Sequence, residues 1–198
     1  MFKTHIDFDS FLKKGTPKMI DDFGVSLITG YQGSGKTYFG VYVVYKYLIT
    51  RKKIRTNIRS LKIPGKEIEY FERIDQIVLQ TDTDYVYIID EISKKYTKEC
   101  KQDKLFYSWL QQSRKRRRIV ILITQEYLQV PTWLRGVARF VYTTEKIKLL
   151  PLFKTTKGVA VLDSSTCEWT VEALETYYYK RNLYIANMYD TMEPVNTL

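Results

Sequence analysis

Gly30-Tyr31-Gln32-Gly33-Ser34-Gly35-Lys36-Thr37 decides how this chain is read. Before it runs Val25-Ser26-Leu27-Ile28-Thr29, short, apolar and β-branched, with the character of a buried strand. After it, from Thr37 to Leu48, Val41, Val44, Tyr45 and Leu48 recur at helical spacing. Strand, glycine-rich turn and helix together are the context in which this pattern is a phosphate-binding loop, or P-loop. Glycines let successive backbone N–H groups turn inward around a phosphate, because no Cβ blocks the turn. A helix beginning near Lys36 adds its positive dipole end, the lysine reaches the β- and γ-phosphates, and the Thr37 hydroxyl suits Mg²⁺. The stretch from Gly30 to Thr37 is therefore expected to bind ATP together with Mg²⁺.

Outward from this loop the chain alternates strands and helices. Ile54-Arg55-Thr56-Asn57-Ile58 reads as a second strand, Pro64-Gly65 as a turn, and Phe71 to Leu79 as a short helix with Ile74, Ile77 and Val78 inward. Tyr85-Val86-Tyr87-Ile88-Ile89-Asp90-Glu91 is a third strand ending in two carboxylates. Leu105, Phe106, Trp109 and Leu110 stripe the next helix, which ends in Arg114-Lys115-Arg116-Arg117-Arg118. Ile119 to Gln125 is a fourth strand, Pro131 to Gly136 a turn with a helical segment, and Arg139-Phe140-Val141-Tyr142-Thr143 a fifth strand. From about Leu150 the alternation stops. Val159 to Leu162 and Trp169 to Val171 suggest a small hairpin, followed by Tyr177-Tyr178-Tyr179-Lys180-Arg181. Such alternation predicts an α/β fold, a mainly parallel sheet with helices on both faces and ligands at the carboxyl ends of the strands. The expected organisation is a single domain over 1–198: an N-terminal arm or first helix over 1–23, an ATPase core over 24–149 and a C-terminal addition over 150–198.

Composition narrows the partners. The net charge is +10 over 198 residues, with 44% hydrophobic and 27% charged residues, a globular balance with a bias toward polyanions such as nucleic acid or an anionic membrane face. Cys100, Cys167 and the single His5 form neither a zinc pattern nor a disulfide framework, which fits a reducing compartment. The first residues lack a signal-peptide run, and Ile119 to Ile123 is far short of the roughly 20 apolar residues of a membrane span. A soluble intracellular protein with no transmembrane segment is expected.

Three strand ends carry chemistry. The P-loop follows the first. Asp90 ends the third, where an aspartate holds Mg²⁺, and Glu91 is placed to polarise an attacking water; the bland alternative is an acidic cap on the following helix. Gln125 ends the fourth, where an amide both donates to a γ-phosphate and accepts from water. The basic run from Arg114 to Arg118 has three readings: a solvated helix end, a track for a nucleic-acid backbone, or the source of an arginine finger. Arg135 and Arg139, beside the fifth strand, are placed to reach across a subunit interface.

With the P-loop, Asp90-Glu91 and Thr124-Gln125, the chain resembles the FtsK–HerA superfamily of pumping ATPases. Its size resembles the genome-packaging ATPases of membrane-containing icosahedral viruses. Arg114 to Gln125, with Arg55-Thr56-Asn57-Ile58, is also similar to the zonula occludens toxin-like assembly proteins of filamentous phages. The likeness covers roughly residues 24 to 145. It implies a three-layer P-loop NTPase with strand order five, one, four, three, two. It also implies a trans-acting arginine, for which Arg139 stands first, ahead of Arg135 and Arg114. The filamentous-phage proteins carry a transmembrane helix and a further domain after the core, and this sequence ends at Leu198, so the expectation leans to packaging. That reading is a homo-oligomeric ring that drives double-stranded viral DNA into a preformed capsid, in the host cytoplasm or at a virion vertex beside capsid proteins. The alternatives are an ATPase for assembly or extrusion of a single-stranded DNA phage, a small-molecule P-loop kinase with Arg114 to Arg118 as its lid, and a slow nucleotide-dependent switch.

Overall fold

In the computed structural model, residues 3–7, 23–46, 48, 50–51, 53–147 and 152–190 are described. Among them one sheet runs through the molecule in the order β1-β9-β8-β7-β2-β6-β5-β3-β4. Its centre is β2 (Gly24–Thr29), flanked by β6 (Ile119–Ile123) and β7 (Phe140–Lys146), with β5 (Val86–Ile89), β3 (Lys53–Thr56) and β4 (Glu67–Tyr70) beyond β6. The stretch β7-β2-β6-β5-β3 is the expected order of five, one, four, three, two, and all its pairings are parallel. β8 (Leu152–Asp163) runs antiparallel to both β7 and β9 (Glu168–Lys180), and β1 (Lys3–Asp7) pairs parallel with β9 at one edge.

The sheet is a middle layer because its strands are apolar on both faces, as parallel strands covered by helices must be. Alternation along each strand sends Ile28, Val86, Ile88, Ile119, Ile121 and Ile123 to one core, and Leu27, Tyr87, Ile89, Val120 and Leu122 to the other. The first core is closed by α1 (Lys36–Lys46) and α5 (Leu183–Ala186). The second is closed by α2 (Asp75–Val78), α3 (Lys104–Gln111) and α4 (Thr132–Arg135). Asp103 starts α3 by accepting from the N–H groups of Leu105 and Phe106, the usual work of an N-cap aspartate.

α1 is buried on every side from Tyr38 to Val44, as a helix lacking a polar face must be. The sheet covers one side of it. The aromatic residues of the hairpin cover another: Tyr179 stacks on Tyr42 at 5.0 Å and Phe153 on Tyr38 at 5.2 Å between ring centroids.

Several local expectations change. The N-terminal segment contributes a strand where an arm or helix was expected, while 8–22 lie outside the described residues. β4, Glu67-Ile68-Glu69-Tyr70, was not anticipated, and the helix expected over 71–79 is reduced to Asp75–Val78. Leu105 is 64% exposed, so the buried stripe of α3 is Phe106, Trp109 and Leu110. The small hairpin is a long one, joined edge-on to the sheet through β7. Among the described residues no helix is long and apolar enough to cross a membrane.

Candidate nucleotide site

A cavity of about 410 Å³ opens where β2, β5 and β6 end. Gly30 and Gly35 shape the loop above it. Both have positive φ, +148° and +89°, and both have neighbours where a side chain would stand. A Cβ on Gly30 would lie 2.4 Å from the Thr144 carbonyl oxygen, and one on Gly35 would lie 2.6 Å from the Phe153 ring. The loop is thus clamped against β7 and the hairpin. Ser34 adds a hydroxyl contact of 2.9 Å with Thr144, and the Gly30 N–H donates to the Gln125 carbonyl at 3.0 Å. Lys36 donates to the Tyr31 carbonyl at 2.9 Å, while Tyr31 itself stands 79% exposed at the rim. Desolvation lowers the Lys36 pKa, against the opposing pull of Asp90 and Glu91.

Asp90 sits 7% exposed beneath the loop, and the Thr37 hydroxyl donates to its Oδ2 at 2.8 Å. Its Oδ1 accepts from the Glu91 N–H at 2.8 Å. Burial still pushes the Asp90 carboxyl above its ordinary range, because these two donors do not replace the water it has lost. The residues fit Mg²⁺: one hydroxyl and one carboxylate oxygen, both hard, with the remaining positions left to water and phosphate.

Asn57, just past β3, holds Asp90 in place. Its amide accepts from the Asp90 N–H at 2.8 Å and donates to the Asp90 carbonyl at 3.0 Å. Sequence reasoning quoted this residue without giving it a role. Glu91 takes a left-handed backbone, φ +54°, and pairs with Lys94 one turn on. It makes no side-chain cap, so the helix-cap alternative fails for Glu91; Asp90 turns its carboxylate to Thr37 instead. Gln125 is exposed and lines the cavity.

Two cations at the same cavity were missed, Lys146 at the end of β7 and Arg181 just after β9. No local motif marks them; the strand order alone brings them there. From Arg181 the chain passes across the front of α1, where the Asn182 N–H donates to Tyr38 and the Asp190 N–H to Ser60, so Tyr189 and Asp190 also line the cavity.

The proposed arginines lie elsewhere. Arg139 precedes β7 at the far end of the sheet, its N–H donating to the Val25 carbonyl at 2.9 Å, so it cannot touch the cavity of its own chain. Arg135 is 4% exposed, bonded to the Thr132 hydroxyl at 3.2 Å and set over the Tyr127 ring, and it does not project toward a neighbour. Arg118 is also buried, gripping Asp82 and the carbonyls of Gln80 and Asp82, so part of the basic run is structural.

The family model described as zonular occludens toxin (Zot) matches residues 24–194. The chain belongs to the Zot family. Among curated proteins none matches. Of the solved structures, the N-terminal domain of zonular occludens toxin from Neisseria meningitidis is 21% identical, with a TM-score of 0.58 over 86% of this chain and 100% of that one. The genome-packaging NTPase B204 of Sulfolobus turreted icosahedral virus 2, in complex with ATP-gammaS, is 12% identical, with a TM-score of 0.52 over 78% and 99%. These likenesses establish the fold, that of a P-loop NTPase. The Zot match runs well past residue 145, through the hairpin and the segment that borders the cavity.

Proposed function

We propose that this Zot-family chain is a Mg²⁺-dependent ATPase of the FtsK–HerA type, a motor that moves viral DNA during virion assembly. The observation that carries the reading is the hydrogen bond from Thr37 to Asp90 beneath the mouth of the P-loop, with Glu91 next in the chain. Backbone N–H groups from Gly30 to Thr37, with Tyr31, Gln32, Gly33, Ser34 and Gly35 between them, cradle the triphosphate, and Lys36 exchanges the Tyr31 carbonyl for phosphate oxygens. Thr37 and Asp90 would hold Mg²⁺, which would neutralise charge on the phosphates. Glu91 accepts a proton from the attacking water once Lys94 has moved aside. Gln125 orients that water, and Lys146 and Arg181 add positive charge beside the phosphates. Arg139, remote from its own chain's cavity, acts only on the nucleotide of a neighbouring subunit in a homo-oligomeric ring.

Two versions of the motor differ in their DNA. Packaging of duplex into a preformed capsid, with capsid or vertex proteins as partners in the host cytoplasm, rests on the likeness to B204. Assembly or extrusion of a single-stranded DNA phage rests on the family match from 24 to 194, and that match favours it. Hydrolysis of ATP by purified protein, with and without duplex and single-stranded DNA, separates the two. Stimulation by single strands that disappears in Glu91→Gln supports assembly, and stimulation by duplex supports packaging. Hydrolysis indifferent to DNA removes the motor and leaves an ATPase.

A further inference from the structure

The strands that end at the nucleotide cavity begin at the opposite pole of the sheet, and a second set of charges collects there. Arg51 and Lys53 lie at the start of β3, and Arg114, Lys115 and Arg117 lie in the turn before β6. These segments meet at the start of β2. The Gly24 N–H donates to the Arg118 carbonyl at 2.8 Å, and the Arg114 Cγ lies 3.3 Å from where a Cβ of Gly24 would stand. The guanidiniums of Arg51 and Arg117 cover the Phe23 ring at 4.7 and 5.8 Å, and share the Asp84 carboxylate at 2.8 and 3.1 Å. Lys53, Arg114, Lys115 and Arg117 are exposed. Among the described residues, Lys53, Arg114 and Lys115 have no carboxylate partner, and Asp84 alone serves Arg51 and Arg117.

The turn is not a frayed helix end. Arg118, 1% exposed, donates to the carbonyls of Gln80 and Asp82 and to the Asp82 carboxylate. The Arg116 guanidinium donates to the Thr81 carbonyl at 2.7 Å, and the Asp84 N–H donates to the Arg116 carbonyl at 3.2 Å. Arg117 is held at φ +54°. Arg118 and Arg116, tied to the backbone of residues 80–84, thus fix the exposed part of the run, which removes part of the ordering cost a flexible patch would meet on binding.

We propose that this pole is the surface on which the chain holds the phosphate backbone of DNA, a partner taken from the motor reading above. From β3 to β2 across β5 and β6 is three strand spacings, about 14 Å, the axial rise of about four nucleotides on one strand. Guanidinium forks match phosphate oxygens in pairs, and contacts of this kind carry no sequence preference. An acidic membrane would call for apolar side chains presented among the cations, whereas here Phe23 lies beneath two guanidiniums. Nucleotide and DNA then occupy opposite ends of the same parallel strands.

The test is the salt dependence of binding to labelled single-stranded and duplex oligonucleotides, read by anisotropy, beside sedimentation with phosphatidylserine vesicles. About four phosphate contacts give a log–log slope of about −3.6 on duplex and about −2.8 on single strands. Lys53→Gln with Lys115→Gln reduces the duplex slope by about 1.8 and weakens binding about 60-fold at 0.1 M salt, with the affinity for an ATP analogue unchanged. DNA binding with an unmoved slope in that variant overturns the proposal, as does binding to vesicles in place of DNA. Loss of ATP-analogue binding by the unsubstituted protein overturns the motor reading instead, and the DNA slopes then stand or fall separately.

Discussion

Asn57→Ala is the perturbation whose effect follows most directly from the geometry. The Asn57 side chain is 8% exposed and makes two hydrogen bonds to the backbone of Asp90, at 2.8 and 3.0 Å. Removing the partner of a buried backbone group costs about 1–3 kcal/mol. Alanine cannot replace either bond, so the loss is about 2–6 kcal/mol. For a chain of this size that lowers Tm by roughly 4–24 °C. The site suffers separately. Released at its backbone, Asp90 no longer presents Oδ2 to Thr37 and the metal position, and removing such a supporting partner costs roughly 10–100-fold in metal affinity. Thermal unfolding by circular dichroism reads the first effect, and Mg²⁺ titration of ATP-analogue binding below the transition reads the second. An Asn57→Ala protein that melts within about 1 °C of the unsubstituted chain and keeps its Mg²⁺ dependence would refute the reasoning.

Asp90 gives a pH signature. Burial raises its folded pKa, so the carboxylate costs stability once pH exceeds the unfolded value near 3.9, and the cost grows until the folded pKa is passed. Asp90→Asn therefore raises Tm of the metal-free protein at pH 8, and the gain vanishes toward pH 4; a gain at pH 4 that disappears at pH 8 has the wrong sign. Arg181→Gln removes a cation from the cavity lining and should weaken ATP-analogue binding several-fold, about 1 kcal/mol, with no change in unfolding; equal affinity would take Arg181 out of the site. For Arg139, neither Arg139→Ala nor Glu91→Gln should turn over alone, while mixed subunits should recover activity at interfaces that join an intact Glu91 to an intact Arg139. Normal turnover by Arg139→Ala alone, or mixtures that recover nothing, would remove its role between subunits.

Much of the core was legible because parallel strands buried on both faces write themselves as unbroken apolar runs, such as Ile119 to Ile123 and Val86 to Ile89. The P-loop was legible because Gly30 and Gly35 stand where backbone and ring leave no room for a side chain. β4 was not, since Glu67-Ile68-Glu69-Tyr70 lies at a sheet edge and alternates charge with apolar bulk. Nor was the length of the hairpin, whose Lys154-Thr155-Thr156-Lys157 segment is polar in sequence although Thr155 is fully buried. Asn57, Lys146 and Arg181 carry no local pattern. Each is identified by one fact, that it follows or ends a strand running parallel to β2, and such facts exist only once the strand order is known. The basic run misled in part, because Arg118 belongs to the core and Arg114 to the surface with only three residues between them.

The central claim is that the cavity at the strand ends holds ATP through Lys36, Thr37 and Asp90. Calorimetric titration of the protein with a non-hydrolysable ATP analogue, with and without Mg²⁺ and repeated on Lys36→Ala, tests it most directly. The account predicts saturable one-site binding that strengthens with Mg²⁺ and is lost in Lys36→Ala. Binding that ignores both Mg²⁺ and the loss of Lys36 would contradict it.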